Sequence, residues 1–310
     1  MRIRLSSLLA FGFVLLFFAD RALAWGPAVH IGLGGSILEN LALLPAGLAA
    51  ILGRERLAYL YGNIAADIVF AKRLSRVKQA CHHWSTAFRL LDGARDDRAN
   101  AFAYGYLSHL AADTVAHGKY VPRQIILSGS TLNFGHLYWE LRADATESEE
   151  NWRQLERLLA EDHSHDHVIL APHITETFLS YELNRQLFDR MNALAARRSF
   201  RRTMGVWSRC SRWYLSPALM HGYRRECIDR ILSVLSEGTK SPLLQEDPNG
   251  TSALMRLRIR RREHRRLRRQ GVSLGRRIIE TSQAYEPSAG YLSSPPEART
   301  PSVLEHIAVR

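Results

Sequence analysis

The chain has 310 residues, of which 46% are hydrophobic and 23% charged, with a formal net charge of +12. That length suffices for one large domain with a sizeable core. Three cysteines, Cys81, Cys210 and Cys227, exclude a disulfide-built scaffold and allow at most one pair, expected between Cys210 and Cys227.

Residues 1–24 read as a secretory signal. Arg2 and Arg4 precede an apolar run from Leu5 to Ala19, and Ala22-Leu23-Ala24 is a small-x-small cleavage site. The run is about 15 residues, short of the roughly 20 that span a bilayer. Cleavage after Ala24 would make the protein secreted or periplasmic, with Trp25 as its first residue. Its freed amine and neighbouring carbonyl oxygen could then chelate a metal, and His30 could fold back to the same ion.

Helical patterns dominate the chain from Trp25 onward, and the expected class is all-α. Leu33 to Leu52 is apolar with Gly and Pro interruptions. Asn100–His117, Leu137–Glu161 and Thr177–Ala195 are expected as amphipathic helices. A multi-helix domain is expected over residues 25–236, with a basic, partly disordered tail at 237–310. Within that tail Gly238 to Gly250, with Pro242 and Pro248, reads as a linker. Arg256–Arg269 holds nine arginines, and Gln283 onward is rich in Pro, Ser and Gly. The arginine run suits an anionic surface as well as a merely solvated helix face. It lacks interleaved aromatics, so specific nucleic-acid recognition is not expected.

Thirteen histidines is the unusual count, and most precede residue 175. His109, Asp113 and His117 fall at i, i+4 and i+8, and eight helical steps turn only about 80° past two full turns. Such a row presents imidazole and carboxylate ligands to one or two metal ions. His136 and Glu140 are one turn apart around Tyr138 and Trp139, which read as core more readily than as a stacking platform. Asp67 stands alone in the apolar stretch Ile64-Ala65-Ala66-Asp67-Ile68-Val69, where an unpaired carboxylate is costly. In Cys81-His82-His83-Trp84 either histidine could ligate, and His83 is the one expected at the surface. His163-Ser164-His165-Asp166-His167 is expected as an exposed loop with at most a minor metal role. The chain has no phosphate-binding glycine loop, no His-Glu-x-x-His and no Gly-x-Ser-x-Gly, and Cys81 lacks the partner pattern of a thiol nucleophile.

Taken in order, Trp25 and His30, Asp67, His82, the His109/Asp113/His117 row and the His136/Glu140 pair resemble the zinc-dependent phospholipase C family, relatives of the S1/P1 nucleases. The resemblance runs from Trp25 to about Asp144. It implies an all-helical fold and about three zinc ions. Trp25, His30 and Asp113 would hold one. Asp67, His82, His109 and Asp113 would hold a second, with Asp113 bridging. His117, His136 and Glu140 would hold a third. The chain departs from the family pattern in the short Asp113–His117 spacing, in Ala66 where Pro is usual, and in Ile68 where choline-specific members carry an aromatic.

The implied activity is hydrolysis of phospholipids to diacylglycerol and a phosphorylated head group, with a phospholipid or membrane surface as partner and Asp67 as the catalytic carboxylate. The alternatives are a single-strand nuclease of the S1/P1 type and a non-catalytic, zinc-stabilised protein that binds anionic surfaces.

Overall fold

A computed structural model describes residues 25–70, 80–175 and 177–292, and among these residues there is no β-strand. The signal segment lies outside the described residues. Helices α1 (Pro27–Glu39), α2 (Ala46–Arg54) and α3 (Arg56–Ala65) lead to α4 (Trp84–Gly93) and the central α5 (Asp97–Val115). After a π-helical turn at Ala116–Tyr120 come α6 (Val121–Ser128), α7 (Leu132–Asp144) and α8 (Glu149–Leu159). Then come α9 (Ser164–Leu170), α10 (Tyr181–Ala196), α11 (Arg198–Arg209) and α12 (Pro217–Glu237). The last are α13 (Thr251–Arg269), α14 (Gly275–Gln283) and α15 (Ala289–Leu292).

α5 is apolar on nearly every side, which suits a helix enclosed by others. Asp96 starts it, accepting a hydrogen bond from the Ala99 amide at 2.7 Å. α3 crosses α5 at backbone contact. A β-carbon on Gly62 would lie 2.1 Å from the Phe102 carbonyl oxygen, and one on Gly105 would lie 2.0 Å from that of Tyr59. Two glycines therefore set the approach, because only they omit the colliding atom. α12 packs against another side of α5, and α1 lies against α3 and α8. Phe102, Tyr106, Tyr120, Trp139 and Tyr223 fill the core. Each fully buried side chain of this kind stabilises by roughly 1.5–3 kcal/mol.

Several elements differ from the sequence expectation. The helix expected over Leu137–Glu161 is two, because Ser148 caps α8 through the Asn151 amide at 3.1 Å and Glu149 and Glu150 favour a new N-terminus. The helix expected from Thr177 begins at Tyr181, with Ser180 capping it. Asn100–His117 is α5 continued by the π turn. Pro122 accounts for that turn: it has no amide proton and its ring would strike the carbonyl four residues back. The Val121 amide instead reaches the Ala116 carbonyl, five residues away.

Gly238–Gly250 is a packed strap rather than a free linker, with Ser241, Leu243 and Asn249 buried. Leu257 of α13 is fully buried as well, and Pro287 and Leu292 press on Gly222 of α12. The stretch from Gln283 to Leu292, expected to lack fixed structure, is thus folded against the domain. Cys81, Cys210 and Cys227 are all free thiols, Cys210 exposed and Cys227 buried, so the expected disulfide is absent.

Candidate metal centre

Asp113 is the hub. It sits in the last turn of α5 and is 1% exposed, enclosed by four histidines from four elements. Its Oδ2 lies 3.3 Å from His82 Nε2, 3.3 Å from His109 Nε2 and 3.6 Å from His117 Nε2, while Oδ1 lies 3.5 Å from His30 Nε2. Burial pushes its pKa up, but His109, His117 and His30 outweigh this and hold the carboxyl well below the usual carboxylate range.

Two of these neighbours, His109 and His82, are oriented by hydrogen bonds from behind. His109 Nδ1 is 2.8 Å from the Asn63 carbonyl oxygen, which can only accept. Nδ1 therefore carries the proton, and the Nε2 lone pair faces the cluster. His82 Nδ1 is 3.2 Å from Cys81 Sγ, and its Nε2 is 3.3 Å from Asp67 Oδ1 and 3.3 Å from His109 Nε2. His30 stacks on His109 with centroids 3.9 Å apart and planes 11° from parallel. Its pKa is lowered by burial and by His109, which favours the neutral, ligating form. His117 lies in the π turn with its ring 5.0 Å from that of His136. Glu140, one turn beyond His136 on α7, is 3% exposed. The Trp25 indole donates to the Ala112 carbonyl at 3.2 Å and stacks on Tyr120, which brings the start of α1 beside the hub.

The donor set fits zinc. Both ring nitrogens of His30, both of His117, and Asp113 Oδ1 are buried with no hydrogen-bond partner. Each such atom costs about 1–3 kcal/mol if nothing pairs with it. The spacing is a second test. Ligand atoms in a tetrahedron around zinc at about 2.0–2.1 Å are about 3.3–3.4 Å apart. His82 Nε2 stands 3.3 Å from Asp67 Oδ1, from Asp113 Oδ2 and from His109 Nε2. Ligand atoms of His30, His109 and Asp113 converge, as do those of Asp67, His82 and His109.

A cavity of about 550 Å³ opens on this cluster through His30, Asp67 and Glu140. Ile64, Phe188, Met191, Phe200, Met204 and Val206 also line it. Asp67 is the cluster carboxylate with solvent access, its side chain 13% exposed.

Of the remaining sequence candidates, His83 is exposed. His163 and His167 are not on an exposed loop: both are buried at 8% exposure, and Asp166 is fully buried. The expectation failed because the partners of these residues are distant in sequence. Tyr61 stacks on His163 at 3.6 Å and its hydroxyl meets His167 Nε2 at 2.9 Å, while Arg98 binds both oxygens of Asp166. His163 and His167 have both ring nitrogens hydrogen-bonded, so this cluster is a core network with no place for an ion.

Residues without a ligand signature in the sequence support the site from outside it. Asn249 donates to the His82 carbonyl at 2.8 Å. Gly250, at φ +64°, lies against His117, where a β-carbon would stand 2.4 Å from His117 Cβ. Asp247 accepts from the Asn249 and Thr251 amides at 2.9 and 2.8 Å, an Asx turn that the Asp247-Pro248-Asn249-Gly250 string would have signalled. Asp144 accepts from the Val29 amide at 3.1 Å at the start of α1, and burial raises its pKa to about 8 despite that bond.

Residues 29–190, just over half of the chain, match the model of a family described as zinc dependent phospholipase C. Searches of curated proteins and of solved structures gave no significant match.

Proposed function

The chain belongs to the zinc-dependent phospholipase C family, and on that premise we propose that it is a secreted or periplasmic phosphodiesterase that hydrolyses phospholipids to diacylglycerol and a phosphorylated head group. The observation that carries this reading is that Asp67 Oδ1, His109 Nε2 and Asp113 Oδ2 each stand 3.3 Å from His82 Nε2, the separation of neighbouring zinc ligands, beside a largely apolar cavity. The proposed complement is about three ions. Trp25, His30 and Asp113 would hold one, Asp67, His82, His109 and Asp113 another, and His117, His136 and Glu140 the third. Bound zinc supplies Lewis acidity for the phosphate and lowers the pKa of a water from 15.7 to about 7.

The chain's own groups do the rest. Asp113 and His109 hold the constellation rigid, His109 through its bond to Asn63. Asp67, on the cavity side, orients the attacking water and takes its proton. The water oxygen bonds to phosphorus, the bond from phosphorus to the glycerol oxygen breaks, and that oxygen takes up the proton that Asp67 received and leaves as the diacylglycerol hydroxyl. The apolar wall receives the glycerol and acyl portion and excludes bulk water. The basic face of Arg256–Arg269 is proposed as an additional contact with anionic surfaces.

The test uses protein beginning at Trp25. Zinc per chain is measured by mass spectrometry, and hydrolysis of a phospholipid emulsion and of single-stranded DNA is measured with and without chelator. About three zinc ions and chelator-sensitive lipid cleavage are expected. Cleavage of DNA instead would favour the nuclease. Zinc without either activity would leave a zinc-stabilised binding protein, and no zinc would end the proposal.

A further inference from the structure

We propose that the cavity selects phosphodiesters whose head group carries a further negative charge, through Arg198, Arg202 and Arg209, and rejects quaternary ammonium head groups. This inference rests on the phosphodiesterase reading above and adds the substrate class. α11 places the three arginines at i, i+4 and i+11, within about 40° of one another around the helix. All three line the cavity and all three are exposed. Among the described residues, no carboxylate lies within salt-bridge distance of any of them.

Two features that would recognise a cationic head, an indole face and the acidic side chains, are already engaged. Trp152 is the indole that lines the cavity, and the Arg201 guanidinium stands 5.5 Å from its ring centroid. A choline would have to displace that cation to gain the same aromatic face. Three further carboxylates that line the cavity are likewise occupied. Glu149 pairs with Arg201 at 2.7 Å, Glu147 pairs with Arg224, and Asp144 accepts the Val29 amide. Asp67 and Glu140 belong to the cluster. A cation entering the cavity therefore meets three guanidiniums that, among the described residues, have no ion-pair partner, and carboxylates that already have partners. An anion meets fork-shaped donors suited to carboxylate or phosphate.

The test separates the head group from surface recruitment by using monomeric short-chain lipids. Dihexanoyl phosphatidylinositol 4-phosphate, phosphatidylglycerol and phosphatidylcholine are compared by kcat/KM with the zinc-loaded chain. The extra phosphate is expected to raise kcat/KM about tenfold over phosphatidylcholine, the scale of a few exposed charge pairs acting together. The R198A/R202A/R209A variant is expected to bring that ratio close to one with unchanged zinc content. A higher rate on phosphatidylcholine, or a ratio the variant leaves unmoved, overturns the proposal. Binding of inositol 1,4-bisphosphate by calorimetry gives a readout that needs no turnover, and the variant should weaken it about tenfold. If binding follows the arginines but no lipid is cleaved, the phosphodiesterase reading fails and the anion site stands. Binding that is absent or indifferent to the variant removes the anion site whatever the activity.

Discussion

Asp113 concentrates the consequences of a single residue. Its two oxygens face histidines from α1, from the turn before α4, from α5 and from the π turn. Asp113→Asn keeps the volume but replaces one carboxylate oxygen with an amide nitrogen, whose protons would point among imidazole lone pairs. Zinc and activity should be lost together, by on the order of 100-fold or more, the upper end of what removing even a partner behind a ligand costs. Full zinc content with full activity in this variant would refute the hub assignment. His82 and His83 make the complementary point. They are adjacent and chemically identical, yet one is 2% exposed and bonded to Cys81 while the other is on the surface. The expectation placed His83 outside, but nothing local to the pair determined which ring reached Asp67. That depends on where α5 stands.

Among the elements, the strap before α13 has the least obvious role. It lies beyond the span that matches the family, yet it touches two cluster histidines. Asn249→Ala removes the hydrogen bond to the His82 carbonyl and should weaken zinc binding about 10-fold, the lower end of the range for residues that hold a ligand in place. Chelator competition measures it, and an unchanged zinc affinity would show that the strap merely covers the site. Gly250→Ala should cost more. The left-handed backbone alone disfavours alanine by about 1–2 kcal/mol, and its β-carbon would collide with His117. Urea unfolding should report that loss. The π turn is legible afterwards from Pro122, and it sets the position of His117 despite the short Asp113–His117 spacing. The same sequence rules that place helices well did not show it, because a π turn arises from a clash between residues four apart rather than from periodicity.

At the scale of the whole molecule, stability should depend on pH from both sides. Burial, with Arg185 and His163, lowers the His167 pKa to about 4, and burial with His109 lowers that of His30. Both bind fewer protons folded than unfolded, so the stability they contribute is present above about 6.5 and is lost as pH falls toward their folded values. Asp144 is opposite. Its pKa is raised to about 8, so its contribution is greatest below its unfolded value near 3.8 and is lost as pH rises through 8. Thermal melts of chelator-treated protein should therefore peak at about pH 6.5 and decline toward about pH 8, and a melting temperature that keeps rising down to about pH 5 would contradict this balance. The whole molecule also explains the split between what was legible and what was not. The sequence by itself determined an all-helical chain and named the residue types and helical spacings of the candidate ligands, because periodicity and one-turn spacing are local properties of a helix. Only the tertiary structure decided that His163 and His167 are core, that the strap is part of the site, and that three arginines of α11 face the same cavity as Asp67. Those outcomes depend on contacts between residues far apart along the chain. They are set by the glycine-to-backbone crossing of α3 on α5 and by the packing of the elements around it, which no local pattern encodes.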